Sequence, residues 1–145
     1  MLTRRLEWVT PPPNSAFFKA PTCPKNWGHL NRMSIQSKME ALGGLHDAMV
    51  MSLAWSAEDR ALSIVVDDIN ANTRGFPEYP GRSTAKFVLS GVTLLEAQAE
   101  LGLDGLTIFE WIISEKGPDG YRSSISLSPG GRLVIECGRI DITPA

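Results

Sequence analysis

His46 and Asp47 stand side by side at the mouth of a strongly alternating stretch, GLHDAMVMSLAWS (residues 44–56), and two more carboxylates, Asp67 and Asp68, end the next such stretch. A turn centred near Glu58 folds the two into a hairpin and sets His46 near Asn70 and Asp47 near Ile69. His46, Asp47, Asp67, Asp68 and Asn70 then gather at its open end, and the loop beyond adds Asn72, Arg74, Glu78 and Tyr79. Carboxylates beside a histidine can hold a hard cation, or can pair a base with an orienting acid. By alternation Asp47 shares the face of Met49 and Met51, and Asp68 that of Leu62, Ile64 and Val66. Both are therefore expected at core-facing positions, where a carboxylate needs a partner.

The same residues have a plainer use. Asp and Asn at strand ends hydrogen-bond the free backbone of the following loop, and His46 can pack as a polar edge. A metal site asks for a second histidine or a dense carboxylate set. The only other histidine, His29, lies in NWGHL with no HxH or HExxH spacing around it. Turn chemistry is thus the preferred reading, with no metal and no cofactor expected.

Other residues offer less chemistry. Cys137 sits inside an apolar alternation and reads as core, Cys23 lies in the proline-rich TCP context, and no CxxC pairs them. No GxSxG occurs, and the glycine pairs of GPDGY and SPGGR lie between strands, where no helix follows to cradle phosphate. The most distinctive loop is FPEYPGR, residues 76–82, with aromatic, acidic and basic side chains between two prolines. Phe76, Glu78, Tyr79 and Arg82, together with Trp27, are the candidates for contact with a partner, since long loops often carry function. A rigid long loop with no role beyond connection is nonetheless the preferred reading. Trp55 and Trp111 fit the alternation and are expected in the core.

The elements that must position these residues are mostly strands. Residues 1–33 hold five of the ten prolines along with Trp8, Phe17, Phe18 and Trp27, and read as an ordered arm with a short strand at Leu2–Val9. Ser34–Leu42 is a helix capped by Ser34, with Ile35, Met39 and Leu42 on one face and Gly43-Gly44 as its stop. From Leu45 the period is two. Met49, Met51, Leu53 and Trp55 form one apolar face, followed by a return over Leu62, Ile64 and Val66. A run then begins at Phe87 and Leu89 and passes Gly91 to Leu95. EAQAE (96–100) favours helix, but the stretch is read as strand followed by irregular chain. Phe109, Trp111 and Ile113 come next, then Tyr121, Ser123, Ile125 and Leu127 with a wet opposite face, then Leu133, Ile135 and Cys137. At Gly138 the apolar phase slips to Ile140 and Ile142, as at a β-bulge. The expected fold is mainly β, an antiparallel meander of about six or seven strands forming a sandwich or partly closed barrel. It carries one short helix and the Pro-rich arm, and residues 34–145 form a single domain.

Composition narrows the function. A net charge of −2, with 14 Lys and Arg dispersed along 145 residues, provides no basic stripe for nucleic acid. No apolar run approaches the length of a membrane span, and prolines interrupt the place where a secretory signal would need its apolar core. A cytoplasmic protein is expected.

The run LHDAMVMSLAWSAEDRALSIVVDD, followed by YPG, a GV turn and LVIECGRIDI, resembles small bacterial proteins of uncharacterised families. Some of these are similar to immunity proteins of polymorphic toxin systems. The resemblance spans roughly residues 44–142 and leaves the arm outside. It implies a β-rich cytosolic domain without catalysis that binds a toxin-like protein. A non-enzymatic binding module is therefore the expectation. The alternatives are a small enzyme or ligand- or cation-binding protein with its site around His46, Asp47 and Asp68, and a subunit that self-associates through sheet edges.

Overall fold

The computed structural model of the protein describes residues 32–100, 102–103 and 105–145. Leu2–Val9, Cys23, Trp27, His29 and nearly all of the expected arm lie outside them. The described chain holds a helix, α1 (Ile35–Ala41), and eight strands: β1 (Met49–Ser56), β2 (Ala61–Asp67), β3 (Ala85–Ser90), β4 (Leu94–Glu100), β5 (Leu106–Glu115), β6 (Tyr121–Ser128), β7 (Gly130–Cys137) and β8 (Arg139–Pro144). They form a single antiparallel sheet in the order β4-β7-β6-β5-β1-β2-β3-β8, which is not closed.

Eight strands rather than six or seven follow from two glycines. The run expected to pass through Gly91 and the run expected to bulge at Gly138 each turn a corner there, so two long strands become four. Ser90 pairs with Arg139 before the corner and Leu94 with Glu136 after it, leaving residues 91–93 opposite only 137 and 138. The Gly138 amide donates to Ser90 O at 3.0 Å and the Thr93 amide to Glu136 O at 2.9 Å, so pairing survives the bend. Gly91 has φ +65°, a backbone conformation that favours glycine, and it lies against the Gly138 backbone. EAQAE, despite its helical composition, is strand: pairing with β7 overrides propensity.

The corner lets one sheet wrap one core. Phe87 on β3 and Trp111 on β5 are separated in the sheet by β1 and β2, yet their rings sit 4.7 Å apart. The Trp111 indole N–H, which needs an acceptor once buried, donates to the buried Ser123 hydroxyl at 2.5 Å. Helix α1 adds Ile35 and Met39 to this core, joined by Leu42. The Ser34 hydroxyl accepts from the Ser37 amide at 3.2 Å, as an N-cap should. Seven residues of helix need such packing to persist, and α1 rests on β5.

The first hairpin departs from simple alternation. Met49 pairs with Asp67 and Val50 with Val66, close to the expected register, but the register shifts between Val50 and Ser52. Met51 is the bulged residue. Directly opposed residues share a face, so Val50 faces the core with Val66. After the bulge Leu53 and Trp55 share the face of Ile64 and Leu62. Met49 and Met51 therefore do not share a face with Leu53 and Trp55. Trp111 is in the core, as expected, whereas Trp55 remains 46% exposed and Leu53 40%. The reason is stagger: β1 overlaps β5 only at Met49 and Val50, so its second half runs past the start of β5 with a neighbour on one side only among the described residues. Phe109, expected inward, is likewise displaced outward by a register shift between Ile108 and Glu110.

Candidate functional site

The long loop between β2 and β3 is organised by the two aspartates that end β2. Asp68 leaves the strand at φ +53°, a conformation Asp tolerates better than most residues, and turns its carboxylate inward, where it is 1% exposed. Its burial is what alternation predicts. One oxygen accepts from the Arg74 Nε and Nη2 at 3.2 and 2.8 Å and from the Tyr79 hydroxyl at 2.7 Å. The other accepts from the Asn70 amide at 3.3 Å. With four donors arrayed around it, Asp68 is an anchor for the loop rather than a free base. Asp67 grips the far end: Arg82 reaches both its oxygens, through Nε at 2.9 Å and through Nη2, and the Thr84 hydroxyl lies 3.3 Å away. The Asn70 side chain donates to Gly81 O at 3.0 Å, and the Ile69 amide to Ser83 O at 2.8 Å.

These contacts set the local electrostatics. The Arg82 guanidinium holds the Asp67 carboxyl below its ordinary value. Hydrogen bonding to Asp68 raises Arg74, while burial, and then the hydrogen bond to Asp68, raise the Tyr79 phenol.

His46 and Asp47 lie apart from this network. The chain is still turning there, with Leu45 at φ +56° and Asp47 at φ +67°. Strand alternation begins only at Met49, so Asp47 does not face the core. Its side chain is exposed, its amide donates to Ile108 O at 2.9 Å, and its Oδ2 lies 3.1 Å from His46 Nδ1. The His46 ring packs at 5.4 Å on Phe109 beside an open cleft of about 350 Å³ that Gly43, Gly44 and Trp111 also line. Among the described residues, no hydrogen bond or ion pair joins His46 and Asp47 to Asp67, Asp68 and Asn70. Nor, among those residues, do three His, Cys, Asp or Glu side chains converge as metal ligands. Cys137 is buried, and burial pushes its thiol up to about 11, so it is a protonated core residue at neutral pH.

No family model matches the chain, and no curated protein matches it either. The geometry alone speaks for the site. Of the residues singled out from sequence, Asp67, Asp68, Asn70, Tyr79 and Arg82 come together in one network. Glu78 is exposed on the same loop and its side chain makes no hydrogen bond or ion pair among the described residues, and Phe76 stands out from the loop. Two participants escaped sequence reasoning. Thr84 carries no motif, and Phe109 is brought to His46 by a bulge that its alternating neighbours do not announce. Among the described residues no helix is long and apolar enough to cross a membrane.

The Asp67–Arg82 grip has a pH signature. A carboxyl that titrates below its unfolded value of 3.8 adds stability above that pH and loses it as pH falls through the lower folded value. Carboxyl-detected NMR titration should place the Asp67 midpoint below 3.8, and Arg82→Gln should move it back up toward 3.8. An Asp67 midpoint that ignores Arg82→Gln would show that the pair does not form in solution.

Proposed function

We propose that the protein is a non-enzymatic protein-binding module, immunity-like in manner, that presents the β2–β3 loop to a single protein partner. The observation behind this reading is Phe76. It is 60% exposed on a loop whose two ends are tied down by Asp67 and Asp68, with Tyr79 and Arg82 spent on those ties. An aromatic side chain held out by a rigid loop binds at a reduced ordering cost, and a few such anchors carry most of the energy at protein interfaces. Glu78 adds a charge at the rim, where it would tune selectivity more than affinity. The resemblance of residues 44–142 to small immunity-like proteins leans the same way, because such proteins act by shape and charge against one toxin.

Capture experiments with the intact chain as bait test this reading, with Phe76→Ala as the matched control. The hydrogen bonds of Phe76 are those of its backbone, to Thr73 O and from the Tyr79 amide, which alanine keeps, so the variant keeps the scaffold. A stoichiometric partner whose affinity falls about 30-fold, equivalent to roughly 2 kcal/mol, is the expected result. Equal capture by Phe76→Ala, or an empty capture, removes the proposal. The cleft beside His46 favours a second reading, a small-ligand site. It predicts ligand binding that His46→Ala abolishes while Phe76→Ala leaves it intact.

A further inference from the structure

Two Asp-Gly pairs occur in the chain, Asp104–Gly105 and Asp119–Gly120. Aspartate before glycine is the pair most open to ring closure on itself. Glycine has no side chain to hinder attack by its own amide nitrogen on the preceding carboxyl, and its backbone turns freely. The fold treats the two nitrogens differently. The Gly105 amide donates to Gly102 O at 3.3 Å, in a bridge between those two residues just ahead of β5. The Gly120 amide donates no hydrogen bond among the described residues. Its turn joins β5 to β6 and is closed by the Lys116 amide, which donates to Gly120 O at 2.8 Å. Asp119 is exposed on this turn, two residues after Gly117 at φ +70°. A nitrogen held in a hydrogen bond must break it before it attacks, whereas the Gly120 nitrogen has none to break.

We propose that Asp119 is a site of spontaneous isomerisation to isoaspartate in the folded protein, and that it converts ahead of Asp104. The Gly120 nitrogen bonds to Asp119 Cγ, and the hydroxyl of the protonated carboxyl leaves with the amide proton as water. Water then opens the five-membered imide. Cleavage between the nitrogen and Cγ restores aspartate. Cleavage between the nitrogen and the backbone carbonyl carbon leaves the chain running through Cγ, one methylene longer. Nothing is oxidised or reduced, and the water lost is regained. The longer link falls where the turn meets the corner of the sheet. Asp119 O lies 3.8 Å from where a Cβ on Gly138 would sit, and Lys116 of the same turn pairs with Glu136 of β7. An added methylene disturbs the closure from Lys116 to Gly120, so isomerisation loosens this end of the β5–β6 hairpin.

Ageing the intact chain in water enriched in oxygen-18 tests this. Each opening of the imide leaves one heavy oxygen on the residue, whichever product forms, and peptide mapping reads positions 119 and 104 separately. Methylation by an isoaspartyl methyltransferase then identifies the isomer. Label should enter Asp119 about fivefold faster than Asp104, the equivalent of the roughly 1 kcal/mol of one hydrogen bond. Asp119→Glu, whose ring closure would need a six-membered imide, should remove the label from that position. An unlabelled Asp119 overturns the proposal, and so does label that enters Asp104 as fast or faster. Label that reaches Asp119 only after the chain is unfolded in urea also overturns it, since the folded turn would then be protecting the site. In the isomerised chain, separated by chromatography, the Lys116 amide should exchange faster than in the parent. An unchanged rate there overturns the loosening of the hairpin.

Discussion

Trp111→Ala should lower the free energy of unfolding by about 4 kcal/mol, measured as a shift of the urea midpoint at constant slope. Three losses add up at this position. The indole is 3% exposed and fills the space beneath the bend of the sheet, so its removal leaves a cavity that the surrounding strands can close only in part. Its ring meets Phe87 at 4.7 Å with the planes tilted by 43°, a tilted aromatic pair worth something beyond buried area. Its N–H is the donor to Ser123, whose hydroxyl is fully buried and would be left facing apolar surface. Trp111→Phe separates these terms, since it keeps the ring and most of the contact with Phe87 but deletes the donor. It should cost about half as much. A loss below about 1 kcal/mol for Trp111→Ala would mean that β3 and β5 do not close over one core. With a total stability of about 5–15 kcal/mol expected for a domain, the alanine variant would stand near the edge of folding.

How far residues announce such positions depends on whether their environment is local. α1 was legible because its signals are local: Ser34 as cap, Ile35, Met39 and Leu42 on one face, Gly43-Gly44 as stop. The β1–β2 register near Met49 and Asp67 was legible from turn position alone. The Met51 bulge was not, because MVMSLAW continues to alternate through it and no glycine or proline marks the extra residue. The corner at Gly91 and Gly138 was half-legible. The phase slip at Gly138 is written in the sequence, but that it lies against Gly91 and turns both strands together is a long-range fact. The candidate cluster divided along the same line. Asp68 continues the alternation of β2 and is buried as expected, whereas Asp47 precedes the first true strand residue and sits in solvent. Trp55 shows the limit: its inward face follows from pairing, but its exposure depends on which strand stands next to β1, and nothing in residues 49–56 encodes that.

Asp68→Ala should destabilise the protein by about 2–3 kcal/mol and, more tellingly, should loosen one loop. The substitution strips acceptors from the Tyr79 hydroxyl and the Asn70 amide, and releases Arg74. Arg74 is largely exposed and regains water, so the penalty lies mainly with the other two and with the lost charge-assisted bonds. Alanine also fits φ +53° less well than aspartate does. Asp68→Asn keeps the backbone preference and an acceptor oxygen, and should cost roughly half as much. Because Asp67–Arg82 and the Ile69–Ser83 bond still close the loop at its base, the strands should hold. Amides of residues 70–80 should then exchange much faster while β2 and β3 stay protected. The same variant bears on function. If the rigidity of the loop is what makes Phe76 an anchor, Asp68→Ala must weaken partner binding although Asp68 itself is buried and cannot touch a partner. Phe76→Ala and Asp68→Ala would then be less than additive, since both remove the same presented side chain. Full additivity would mean that the loop does not hold Phe76 ready, and that the aspartate serves stability alone.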